Sequence, residues 1–319
     1  MDRDRVPCAM FLIFTATATA YMGPRQENMS HPRITAEDFM PMPTWFPSPP
    51  PSLAFRRHEA AAIAAASELN ASGISDTERI WRAEERCRLL VVRSSPEAEP
   101  RVFPLLADLF RKPVLPAGLL LPDIDGGGGD HGALRWLDGQ PPRSIVYVAL
   151  GSEAPVTAEN VRELAIGLEL SGERFLWALR PPAVLPEGFE QRVAGRGVVC
   201  TGWVPQVGAF LTHCGWGSTA EGLFGFGHPL VMLPFVADQG LIARIMAERG
   251  VGVEVARREE DGWFGREDVA AAVRRVMVGE EGKVLALNAR RLREEVVGGD
   301  GCRQERYVDE LVECFRRHS

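Results

Sequence analysis

The chain has 319 residues, enough for one large domain or two ordinary ones. With 45% hydrophobic and 25% charged residues it reads as a globular, water-soluble protein. A net charge of −7 and a pI near 5.5 leave no basic footprint for nucleic acid or an anionic membrane surface. Two arginines precede the apolar run Val6 to Phe14, but Asp2 and Asp4 cancel them, which is the wrong charge pattern for a signal peptide. That run is expected to be a buried strand or helix. No stretch reaches the roughly 18 to 20 apolar residues of a membrane span.

The proline-rich stretch Met40 to Pro51 predicts a surface loop, because each proline removes a backbone donor and fixes φ. Ala60 to Leu69 is alanine-rich and predicts a helix. Leu89 to Val92 predicts a short buried strand, and Lys112 to Gly118 a second one. The four glycines Gly126 to Gly129 read as a linker.

Beyond the linker the pattern changes. Ser144 to Leu150 is a continuous apolar run rich in β-branched residues, as in a strand buried on both faces. Thr157 is placed to cap a helix running to about Leu170. Further strands are expected at Phe175 to Leu179, Gly197 to Cys200, Ala209 to Thr212, Leu230 to Leu233 and Val251 to Val255. Strand and helix alternate, which predicts a parallel sheet wound on both faces, with ligands at the carboxyl ends of its strands. The mixed charges of Arg257-Arg258-Glu259-Glu260 read as a solvated helix face. At the end of the chain, Val308, Leu311, Val312 and Phe315 share one face of a helix expected over about Gln304 to Arg317.

The six cysteines (8, 87, 200, 214, 302 and 314) lack the close spacing of a zinc site or a redox pair. In a chain of this length they point to reduced thiols in the cytosol. Sequons for N-glycosylation occur at Asn28 and Asn70.

Two strand-to-helix turns carry the chemistry. One is Gly151-Ser152-Glu153. The other runs from Thr212 through His213, Cys214, Gly215, Trp216, Gly217, Ser218 and Thr219 to Glu221. Glycines let the backbone approach a ligand, and free N–H groups at a helix start favour an anion. His213 and Ser218 can donate to phosphate oxygens, and Glu221 can reach a ribose diol. The segment Trp203-Val204-Pro205-Gln206 offers an indole face to stack on a base and an amide to pair with its edge. Asp238 and Gln239, after a strand, can hold sugar hydroxyls. A G-x-G-x-x-G dinucleotide fingerprint in a strand-to-helix context is not found, which argues against an oxidoreductase.

The order Trp203-Val204-Pro205-Gln206, Thr212-His213-Cys214-Gly215-Trp216-Gly217-Ser218-Thr219, Glu221, His228-Pro229-Leu230 and Ala237-Asp238-Gln239 resembles the signature box of plant family 1 UDP-dependent glycosyltransferases. Trp136 to Pro142 and Val146 to Ser152 are also similar to family motifs. The resemblance implies a GT-B-like α/β fold, with one complete doubly wound Rossmann-like domain and a truncated α/β domain before it. Residues 1–122 would be a remnant of the acceptor-binding domain and 123–133 the linker. Residues 134–302 would bind UDP-sugar, and 303–319 would be a helix packing back on the remnant. Donor binding would fall to Ser152, Trp203, Val204, Gln206, His213, Trp216, Gly217, Ser218, Glu221, Asp238 and Gln239. Trp203 would stack on uracil, and Ser152, His213 and Ser218 would hold the diphosphate. The implied reaction transfers a sugar, glucose by the presence of Gln239, from UDP-sugar as co-substrate to a small hydroxylated acceptor such as a flavonoid or terpenoid. It uses no metal or further cofactor.

Three departures stand out. The family's histidine base and its aspartate partner have no counterpart, since the motif would precede Met1, so no catalytic residue is assigned. Trp203 and His213 are ten positions apart, against a family spacing of eighteen, which leaves eight residues for a parallel crossover that usually needs about a dozen. Gly217 stands where most members have asparagine, and one extra residue falls near Phe224-Gly225-Phe226. The competing expectation is therefore a non-catalytic relic that binds UDP-sugar weakly or not at all.

Overall fold

A computed structural model describes residues 8–46, 53–122, 131–152, 154–200, 208–298 and 302–318. The expected linker at 126–129 lies outside them. The chain divides into two compact units, residues 1–120 with 295–319, and residues 121–294.

The first unit contains a parallel sheet of β1 (Ala9–Leu12), β2 (Leu89–Val92) and β3 (Val114–Pro116), in the order β1-β2-β3. The central strand Leu89-Leu90-Val91-Val92 is buried along its whole length, as four consecutive apolar residues require. On one face Leu90 and Val92 pack with Leu12, Ala16, Ala20, Phe103 and Leu106, the last two from α2 (Val102–Phe110). Helix α1 (Ala16–Met22) starts at Thr15, whose hydroxyl accepts from Ala18 N. The Glu99 carboxylate accepts from Ala16 N and Thr17 N, both at 2.8 Å, and so satisfies two more free donors of that helix start.

Two expectations for this unit need correction. Within the run that ends at Phe14, Ala9–Leu12 form an edge strand, and Phe11, Ile13 and Phe14 are exposed rather than buried, because no second strand lies beyond β1 among the described residues. The described part of the proline-rich stretch is a loop, as its prolines predict, and it is anchored. Trp45 Nε1 donates to Ala20 O, and Phe46 packs on the β1–β2 core. The terminal helix α7 (Cys302–His318) turns a different face inward than its apolar spacing suggests. Tyr307, Leu311 and Cys314 face the sheet side, with Leu311 and Cys314 against Leu89, Val91 and Ala117, and Gln304 Nε2 donates to Ala117 O at 2.7 Å. Val308, Val312 and Phe315 are about half exposed. The bond from Gln304 and the one from Tyr307 to Glu97 fix the rotation, and polar anchors of this kind are invisible to a hydrophobic count.

The second unit is a six-stranded parallel sheet flanked by helices. Its strands are β4 (Ile145–Ala149), β5 (Arg174–Ala178), β6 (Gly197–Cys200), β7 (Ala209–Thr212), β8 (Leu230–Met232) and β9 (Gly252–Glu254), ordered β6-β5-β4-β7-β8-β9. Counted within the sheet this is 3-2-1-4-5-6, the doubly wound order in which the winding reverses between the first and fourth strands. The reversal lies between β4 and β7, which pair from Val146↔Ala209 to Ala149↔Thr212. Val146 and Val148 point to one face, with Leu164 and Leu168 of α3 (Ala158–Ser171). Tyr147 and Phe210, paired in register, stack at 5.3 Å on the other. Thr157 caps α3 as the sequence predicts, its hydroxyl accepting from Asn160 N. Despite the eight-residue connection, β6 and β7 both form and both run parallel to the sheet.

Candidate donor site

The site lies at the carboxyl ends of β4, β7 and β8, three neighbouring strands on either side of the winding reversal. Gly151 follows β4 with φ +69°. His213 follows β7 and is buried. Gly215 precedes the short helix α4 (Trp216–Thr219). The His213 imidazole fills the slot between the two glycines. A β-carbon on Gly151 would sit 2.5 Å from His213 Cε1, and one on Gly215 would sit 2.4 Å from Nε2. Any side chain at either position would displace the ring. Burial holds the imidazole pKa down at about 4, so it is neutral near pH 7 and one ring nitrogen is a donor while the other accepts. His213 Nδ1 is buried and has no hydrogen-bond partner among the described residues. A buried polar atom without a partner at a strand end is what a ligand site leaves unsatisfied.

The turn around His213 is strained. Cys214, fully buried, has φ +65°, and its N–H donates to Thr212 Oγ1 at 3.2 Å. A second left-handed residue, Ala237 at φ +56°, precedes Asp238 in the turn after β8. Non-glycine residues in this region cost about 1–3 kcal/mol each and collect at ligand sites. Here the two occur on adjacent strand ends.

Gly217 and Ser218 sit half-buried in the first turn of α4, and Ser152 is exposed beyond β4. Trp216 is buried edge-on against Phe224, at 6.0 Å between rings, so its indole is a packing element of the turn. Glu221 is half-buried in a π-helical turn over Ala220–Gly225. In that turn Phe226 N donates to Glu221 O, an i→i+5 bond. Asp238 is half-buried at the start of α5 (Gln239–Glu248). Gln239 is buried, and its Oε1 accepts from Phe235 N at 2.8 Å and Val236 N at 3.0 Å. Its carbonyl is therefore spent on the loop, and only the amide NH2 can serve a ligand. Trp203, Val204, Gln206 and Glu153 lie outside the described residues.

One supporting residue runs against the sequence reading. Arg257 is not on a solvated helix face. Its side chain is 2% exposed, Nη1 donates to Pro234 O at 2.6 Å, and Nη2 meets Glu254 Oε1 at 3.2 Å. It ties β9 to the loop that carries Asp238, and nothing in its charged neighbourhood signals that. Among the described residues no group of three or more His, Cys, Asp or Glu is placed to hold a metal ion, and no helix is long and apolar enough to cross a membrane.

A doubly wound sheet of this order, in a chain with a second parallel α/β unit, fits the GT-B fold. The family described as UDP-glucoronosyl and UDP-glucosyl transferase matches residues 112–294. UDP-glycosyltransferase 91C1 of Arabidopsis thaliana is 42% identical over 320 residues, covering 97% of this chain and 69% of that protein. UDP-glycosyltransferase 91D2 of Stevia rebaudiana is 40% identical, covering 98% and 69%. The crystal structure of Os79 from O. sativa in complex with UDP superposes with a TM-score of 0.74 at 26% identity, over 95% of this chain and 73% of that one. The chain belongs to the UDP-glycosyltransferase family.

Proposed function

We propose that this chain binds the diphosphate of a UDP-sugar across the ends of β4 and β7 and serves transfer of the sugar to a small hydroxylated acceptor. The observation that carries this reading is the neutral His213 ring held between Gly151 and Gly215, with Nδ1 lacking a partner among the described residues at the winding reversal. Ser152 and Ser218 would add donors to the phosphates and Glu221 would take the ribose hydroxyls. Gly217 leaves room for close approach of the backbone. Trp203, with Val204 and Gln206, would hold the uracil. Trp216 would shape the sugar pocket from behind, and Asp238 with the Gln239 amide would take the sugar hydroxyls. Glucose fits the resemblance that Gln239 carries. A flavonoid or terpenoid alcohol is the acceptor class, and a reducing, cytosolic setting fits the free thiols. The UDP held by Os79 supports the donor assignment.

The second reading, a chain that binds UDP-sugar weakly and does not turn over, rests on the ten positions between Trp203 and His213. Calorimetric titration with UDP beside a glucose-transfer assay separates the two. Binding that weakens at least tenfold in His213→Ala and in Trp203→Ala, together with turnover, supports transfer. Binding without turnover supports the relic. UDP binding indifferent to His213→Ala overturns the site itself.

A further inference from the structure

At the amino end of the sheet in the first unit, two cysteines 79 positions apart meet. The parallel register Ala9↔Leu89 sets Cys8 opposite Arg88, and the ladder continues to that point, with Arg88 N donating to Cys8 O at 2.9 Å. Cys87 stands one residue further back, diagonal to Cys8 across neighbouring strands. The two Sγ atoms are 3.4 Å apart, and the Cys8 thiol also lies 3.4 Å from Arg86 O. A disulfide needs about 2.05 Å between sulfurs, and the bridged α-carbons are usually about 5.5–6 Å apart, the range reached by residues on adjacent strands. Cys8 is exposed and Cys87 is buried.

We propose that Cys8 and Cys87 form an oxidative modification site: a dithiol that a peroxide closes to a disulfide between β1 and β2. The Cys8 thiolate attacks one peroxide oxygen. The O–O bond breaks, the departing hydroxide takes up a proton as water, and Cys8 becomes a sulfenic acid. The Cys87 sulfur then attacks Cys8 Sγ, and the S–O bond breaks. The hydroxide released takes the Cys87 proton as a second water. Two thiols lose two electrons, and the peroxide is reduced to two waters.

The division of labour follows from position. Of the two, Cys8 is the one open to solvent, so it meets the oxidant. Burial first, and then the hydrogen bond from Cys8, push the Cys87 thiol up to about 11, which keeps it a protonated resolving partner until the sulfenic acid forms beside it. Lys112, whose ammonium donates to Glu84 O, is the cation that favours the thiolate there. Once closed, the bridge ties the edge strand β1 to the buried strand β2 and encloses every helix between them, α1 included. Because it restrains the unfolded chain over so long a loop, it stabilises the unit that leaves Phe11, Ile13 and Phe14 exposed.

The test uses the full chain, fully reduced, then treated with hydrogen peroxide and alkylated with N-ethylmaleimide under denaturing conditions. Intact mass should fall from six adducts to four, one for each of the chain's cysteines less the pair. Peptide mapping should place the cross-link between residues 8 and 87, and dithiothreitol should restore all six adducts. The cross-linked peptide should fall at least tenfold in Cys8→Ser, a surface change that leaves the core untouched. A cross-link between other cysteines, oxidation of Cys8 to a sulfinic acid without loss of the second thiol, or equal adduct loss in Cys8→Ser would each overturn the proposal.

Discussion

The His213 ring occupies the space that a β-carbon on Gly151 would need, with Cε1 2.5 Å and Nε2 2.6 Å from that point. The two residues belong to adjacent strand ends, so the glycine determines where the histidine points. Gly151→Ala must move the ring and also place alanine at φ +69°. The expected outcome is at least a tenfold loss of UDP affinity by calorimetry, with a far-UV circular dichroism spectrum like that of the parent. Unchanged affinity would mean that the His213 position does not matter to the donor.

The same burial predicts a pH dependence. His213 has an ordinary value of 6.5 and a folded value of about 4, so between these the unfolded chain binds the extra proton. The contribution of His213 is level above about pH 6.5 and declines as pH falls toward 4, by a total of about 3 kcal/mol. In His213→Asn, which cannot titrate, the thermal midpoint should decline less steeply between pH 6.5 and 4. Parallel profiles for the two proteins would show that the ring is not kept neutral by burial.

Gly167 sits inside α3 where the helix meets α6 (Arg266–Met277). A β-carbon there would lie 2.6 Å from Val269 Cβ and 2.8 Å from the Arg266 carbonyl. Helix propensity favours alanine by about 1 kcal/mol, whereas overpacking against backbone costs about 1–3 kcal/mol. Gly167→Ala is therefore expected to lower stability in urea melts. A rise in the midpoint would show that the two helices can separate at little cost.

Glu99 is buried and bonds to two backbone donors at the start of α1, and Ser94 Oγ donates to the same carboxylate. Hydrogen bonds to a charged group are worth about 1.5–3 kcal/mol each, and leaving buried donors unmet adds to the loss. Glu99→Ala should loosen the first unit by roughly 3 kcal/mol. Limited proteolysis of the variant should cut residues 8–120 several times faster than in the parent, with cleavage of 131–294 unchanged. Equal rates in both regions would show that Glu99 does not hold α1.

Much of this protein was legible in the residues alone. Apolar runs such as Ser144 to Leu150 specify strands because a strand buried on both faces must be apolar throughout, and β4 to β9 form where such runs lie. The turn from Thr212 to Glu221 marks itself by its glycines, and His213 stands out inside it. What the sequence could not decide was which distant residues meet. The slot around His213 needs β4 beside β7, a pairing that jumps over two strands of the chain order. Arg257 looks like one charge among several until β9 takes its place beside β8 and brings it to Pro234. The face that α7 buries is set by Gln304 and Tyr307 bonding to the first unit, against the more obvious stripe of Val308, Val312 and Phe315. Cys8 and Cys87 carry no spacing signal, and the register of β1 on β2 alone puts their sulfurs together. Local composition governs each element by excluding conformations that residues cannot adopt. Long-range pairing depends on which assembled surfaces bury the most apolar area with every polar group met, and only the folded chain resolves that sum.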